Sequence, residues 1–93
     1  MEPLVYNTLS KSALFRIFES LDRLYSSVSL NNGVLKAEIP KIGTYIVNRQ
    51  PPKQEMWLSS PLSGPHHFKY QNSRWVSSSG QDLMKVLSKE LLI

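Results

Sequence analysis

The chain carries two adjacent histidines, His66 and His67, and imidazole is the commonest side-chain metal ligand. The segment around them has strand character, and neighbouring strand residues point to opposite faces. The pair therefore does not converge on one ion, and no Cys, Asp or Glu stands near it at a ligand spacing. Ser59, Ser60, His66, His67 and Asp82 include the residue types of a hydrolase triad, but Ser59-Ser60-Pro61 reads as a strand end rather than a nucleophile elbow. No glycine-rich phosphate loop is present, and each of the four glycines falls at a turn. Lys41, Arg49, Lys53, Lys69 and Arg74 together with Trp57 have the composition of a single-strand nucleic-acid surface. Trp57 itself offers different chemistry. If Met56, Leu58, Tyr45 and Val47 face a core, alternation puts Trp57 outward together with Asn48 and Gln50. An indole beside two amides is a surface suited to docking another protein.

Those side chains need rigid elements to hold them. Thr44 to Gln50 and Glu55 to Ser60 read as two strands joined by a loop at Pro51-Pro52. Upstream, Leu14, Ile17, Phe18, Leu21 and Leu24 recur at helical spacing, with Leu9 and Ala13 extending the stripe backward. Ser12, Arg16, Glu19 and Arg23 fall on the opposite side. The spacing predicts a helix from about Leu4 to Leu24, with Pro3 suited to its first turn. Ser27 to Leu30 and Val34 to Ile39 are short strands around Asn31-Asn32-Gly33, where Asn-Gly supplies the positive φ angles of a tight hairpin. Leu35, Ala37 and Ile39 form the core face of the second. His66 to Tyr70 and Arg74 to Ser77 complete six strands, with Trp75 expected inside. Asp82 is a good N-cap for a final helix whose buried stripe is Leu83, Val86, Leu87 and Leu91. Helix, six antiparallel strands, helix is satisfied by an α+β two-layer sandwich with both helices on one face of the sheet.

Composition narrows the function classes. The 93 residues form one domain, 1–93, without a repeat. No cysteine is present, which excludes disulfides and thiolate metal sites. The net charge of +4 is mild and its basic residues are scattered, as on a solvated surface. No apolar run reaches membrane-spanning length. The N-terminus has neither a signal peptide's flank nor a transit peptide's lack of acids, so a mature form or a cryptic targeting signal is expected.

Gly43-Thr44-Tyr45, Asn48-Arg49-Gln50, Trp57-Leu58-Ser59-Ser60-Pro61 and Ser63-Gly64-Pro65 resemble the central signature of frataxins. The likeness is ungapped across this stretch and extends more weakly from about Leu14 to Leu91. It implies the same helix–sheet–helix fold. It also implies a regulator of iron–sulfur cluster assembly that binds a cysteine desulfurase–scaffold complex. With scattered basic residues and no spanning apolar run, a monomer without nucleic-acid or membrane partners is expected. The implied contact residues are Asn48, Arg49, Gln50, Glu55, Trp57 and His67. The family is further credited with iron delivery and ferroxidase activity through an acidic ridge on the first helix and first strand. Here that ridge is reduced to Glu19 and Asp22, with Glu2 as a further candidate, among Lys11, Arg16 and Arg23. Weak or transient iron binding, no tightly bound cofactor, no catalytic residue and a binding role rather than an enzymatic one are the expectations. An iron-carrying ferroxidase-like protein is the first alternative, and a basic single-stranded nucleic-acid module the second. Two further departures are Glu55, where the family usually has Gln, and His67, where many members have Arg. The implied compartment is the mitochondrion or a related organelle, with bacterial cytoplasm as the alternative.

Overall fold

In the computed structural model, which describes residues 1–93, helix α1 spans Pro3–Asp22. Pro3 fits the first turn because its missing N–H has no intrahelical acceptor to lose. Tyr6, Ser10, Leu14, Ile17 and Leu21 form the buried stripe. The expected stripe is thus correct at its centre, extends to Tyr6 and Ser10, and stops before Leu24, which is 59% exposed. The reason is local. Leu24 and Tyr25 both donate backbone N–H bonds to the Leu21 carbonyl, closing the helix and swinging Leu24 outward, while Tyr25 packs partly against the core.

Six strands follow: β1 Val28–Asn31, β2 Val34–Ile39, β3 Gly43–Gln50, β4 Glu55–Ser60, β5 Gly64–Gln71 and β6 Arg74–Ser77. They pair antiparallel in chain order as one meander. Asn32 and Gly33 take φ of 51° and 76°, the positive pair that a two-residue hairpin needs. Gly43 has φ 134°, and a Cβ there would lie 2.8 Å from the Pro61 Cβ. The glycine that opens β3 is therefore required by the close approach of the β4–β5 loop. Helix α2, Leu83–Leu91, starts under Asp82, whose Oδ1 accepts from the Met84 and Lys85 N–H groups at 2.9 and 3.2 Å.

Alternation sorts each strand as the sequence predicts. Leu35, Ala37 and Ile39, then Tyr45 and Val47, then Met56 and Leu58, with Phe68 and Trp75, all point to the helical layer. They join Leu14, Ile17, Leu21, Leu83, Leu87 and others in a single core cluster of 17 residues. Both helices therefore cover one face of the sheet, and the other face is left for contacts. Tyr6 ties the layers together: its hydroxyl donates to the Glu55 carbonyl at 2.7 Å and accepts from the Gln50 N–H at 3.0 Å. That clasp fixes the ends of β3 and β4 across the short 3-10 turn Pro51–Lys53.

Candidate docking face

The register brings the outward residues into rows. Val34, Asn48, Trp57 and His67 stand side by side across β2, β3, β4 and β5. Gln50, Glu55 and Lys69 form the next row. Cross-strand neighbours on one face lie within side-chain reach, so these rows are continuous surfaces.

Trp57 is held on two sides. Its Nε1–H donates to Glu55 Oε1 at 2.7 Å, and the His67 ring stacks on it at 4.2 Å between centroids and 11° between planes. The Lys53 ammonium lies 6.0 Å from the indole centroid, within cation–π range. Asn48 directs its amide Nδ2 to the Arg49 carbonyl at 3.2 Å. The indole is thus fixed before any partner arrives, which lowers the ordering cost of docking. An amide, a fixed indole, an imidazole, a carboxylate and ammonium groups on one open sheet face are suited to recognition. They do not place a nucleophile against a base.

Arg49 is a correction to the expected contact set. It pairs with Met56 and so points to the helical layer, away from Asn48, Trp57 and His67. Its Nε donates to Ser10 Oγ at 2.7 Å, a terminal nitrogen donates to Asn7 Oδ1, and the guanidinium lies 5.5 Å from the Tyr6 ring centroid. A charge on the inner side of a strand is tolerated here because α1 supplies polar acceptors and an aromatic face.

His66 and His67 do diverge. His66 shares the side of Leu58, stacks over Phe68 at 5.8 Å, and has its Nε2 2.8 Å from Ser63 Oγ. Ser63 is also the donor to Glu90 Oε2 at 2.5 Å, and Glu90 Oε1 accepts from Tyr45 at 2.8 Å and Ser60 at 2.5 Å. Burial works to raise the Glu90 pKa, but the three hydroxyls outweigh it and hold the carboxyl below its ordinary value. Burial, aided by the bond to Glu90, pushes the Tyr45 phenol up to about 12. Ser60 Oγ also accepts the backbone N–H groups of Leu62 and Ser63, so those amides are unavailable to an oxyanion. Asp82 is occupied at the start of α2. The triad reading therefore finds no assembled site. Glu90 is absent from the sequence-based candidates, and no local motif marks it, because its partners lie 27 to 45 residues away.

The donor set for iron is small. Glu19 and Asp22 lie on the exposed side of α1, and Glu2 sits at the opposite end of that helix, about 26 Å from Glu19 at 1.5 Å per residue. No group of three or more His, Cys, Asp or Glu side chains gathers anywhere in the chain. A hard cation is ordinarily held by more oxygen ligands than one exposed pair of carboxylates offers.

Comparison with known proteins agrees with this architecture. The family model described as "Frataxin-like domain" matches residues 1–92. The chain is 38% identical to the "Frataxin homolog, mitochondrial" of Saccharomyces cerevisiae, over 92% of this chain and 54% of that protein. It is 39% identical to the "Frataxin-like protein, mitochondrial" of Leishmania donovani, over 92% and 52%. It thus spans about half the length of these two relatives. Against the "Frataxin" of Trachipleistophora hominis it is 32% identical, covering 92% of this chain and 81% of the relative. Among solved structures, trimeric yeast frataxin complexed with ferrous superposes with a TM-score of 0.83 at 38% identity, over 90% of this chain and 82% of that one. Frataxin from Psychromonas ingrahamii superposes at 0.80 and 25% identity, over 99% and 90%. On the domain match and these relatives, this chain belongs to the frataxin family.

Proposed function

We propose that the protein regulates iron–sulfur cluster assembly by docking on a cysteine desulfurase–scaffold complex through the outer face of its sheet. The observation that carries this reading is Trp57, set between Asn48 and His67 with its N–H on Glu55. Asn48, Gln50, Glu55, Trp57 and His67 are the contact residues, and Arg49 instead ties β3 to α1 on the other side of the sheet. Relatives named as mitochondrial support work in a mitochondrion or related organelle; the Psychromonas relative keeps bacterial cytoplasm as the alternative. The protein acts as a monomer in this reading, with iron as weakly held cargo and no catalytic residue of its own.

The test is Trp57→Ala, with affinity for a purified desulfurase–scaffold complex and a thermal melt measured on the same preparation. Loss of a central aromatic anchor costs about 2 kcal/mol or more of binding, roughly a thirtyfold weaker Kd, with the melt nearly unchanged. A large fall in melting point with affinity retained overturns the reading. Iron carriage is the second reading, favoured by the yeast relative whose structure was solved complexed with ferrous. Ferrous calorimetry alongside the binding assay separates the two.

A further inference from the structure

The helical side of the molecule holds a concavity that the docking face does not use. It lies between α1 and the start of α2, over the β5–β6 hairpin, with a volume of about 340 Å³. Leu9 and Ala13 from α1, Met84 from α2, and Tyr70 and Trp75 from the sheet give it an apolar lining. Tyr70 and Trp75 meet edge to face at 5.2 Å, so the aromatic part is rigid.

Its rim is cationic. Arg16 comes from α1, Arg74 from β6 and Lys85 from α2. The two ion pairs of the chain are Lys36–Glu38 and Arg74–Asp82, so Arg16 and Lys85 have no carboxylate partner. Asp82 is the one acidic residue of the lining, and it is already committed. Its Oδ1 caps α2, its Oδ2 lies 3.9 Å from Arg74, and its side chain is only 10% exposed. Two free cations and one half-compensated cation therefore surround an apolar hollow with no available anion. Such a rim favours a negatively charged partner and disfavours a positive one.

We propose that this groove docks an acidic peptide segment of a partner protein, one that presents an apolar side chain between carboxylates. The hollow takes the apolar group, and Arg16, Arg74 and Lys85 take the flanking charges. Arginine adds bidentate pairing to the simple attraction. The groove and the Trp57 face lie on opposite sides of the sheet, so both can be occupied at once.

The experiment titrates the full chain, labelled with 15N, with the capped hexapeptide Asp-Glu-Leu-Phe-Glu-Asp. Saturable shifts confined to Leu9, Ser12, Ala13, Trp75, Met84 and their neighbours are expected. Raising salt on the unaltered chain should weaken binding several-fold, because exposed pairs are screened. Arg16→Glu with Lys85→Glu should weaken it by about tenfold or more, since each exposed charge pair contributes up to about 1 kcal/mol. The absence of saturation at millimolar peptide overturns the proposal, as do shifts centred on Trp57 or equal binding of Lys-Lys-Leu-Phe-Lys-Lys. A short oligothymidylate that saturates the same residues while the acidic peptide stays inert also overturns it, and reassigns the groove to nucleic acid. The salt series needs no variant, so the proposal stays testable even if the double substitution fails to fold.

Discussion

Replacing Glu90 by Gln removes one charge from the place where α2 is tied to the sheet. The carboxylate accepts from Tyr45 and Ser60 on one oxygen and from Ser63 on the other. Gln keeps one acceptor oxygen and turns an NH2 group toward Ser63. Hydrogen bonds to a charged group contribute about 1.5–3 kcal/mol each, against about 1 kcal/mol for neutral ones. The bonds share one acceptor and are not additive, so the expected loss is about 2 kcal/mol rather than the sum. For a domain of this size that corresponds to a fall in Tm of roughly 8–16 °C. The pH dependence supplies a second check. The Glu90 pKa is lowered in the folded state from its ordinary 4.5. The stabilisation is therefore present above about pH 4.5 and is lost as pH falls through the lower folded value. The groups near this carboxylate are Tyr45 and His66, with Tyr25 acting on Tyr45. Melts of wild type and Glu90→Gln, followed by circular dichroism, should show a wide gap at about pH 7 that narrows in acid, once the pH has fallen below the lowered folded-state value and the native side chain has itself taken up a proton. An equal gap at both, or a variant that melts with wild type at neutral pH, refutes the reasoning.

Tyr45 should limit stability in alkali: its phenol is raised from 10.0 to about 12, so stability is full below pH 10 and falls between those values, and Tyr45→Phe should flatten that limb in alkaline melts. Arg49→Ala should lower stability by about 1–2 kcal/mol through the lost bonds to Asn7 and Ser10 while leaving desulfurase-complex affinity unchanged; weaker affinity at an unchanged Tm would return Arg49 to the contact set. Glu19→Gln with Asp22→Asn should leave anaerobic ferrous calorimetry unchanged from a weak baseline; micromolar binding abolished by the pair would make iron carriage the leading function.

What the sequence decided by itself is whatever has a short period or a local partner. Side-chain alternation is strictly two residues, so Tyr45, Val47, Met56 and Leu58 declare one face, and Asn48 and Trp57 the other. Asn32-Gly33 and Asp82 carry their own turn and cap chemistry, and β2, β4, β6 and the buried stripe of α2 appear where the pattern predicts. The same parity assigns Arg49 inward, against its placement among the contact residues. Only the tertiary structure shows why an inward charge is stable there, because Asn7, Ser10 and Tyr6 meet it from about 40 residues away. Leu24 has the right spacing for the α1 stripe but lies past the point where the chain turns off Leu21. The clamp on Trp57 requires β3, β4 and β5 in register, and the Glu90 network requires the last turn of α2 to land on Tyr45, Ser60 and Ser63. A periodic pattern says which side of an element is apolar. Which polar groups meet across the core depends on how the layers are packed, and that information is held by no single stretch of the chain.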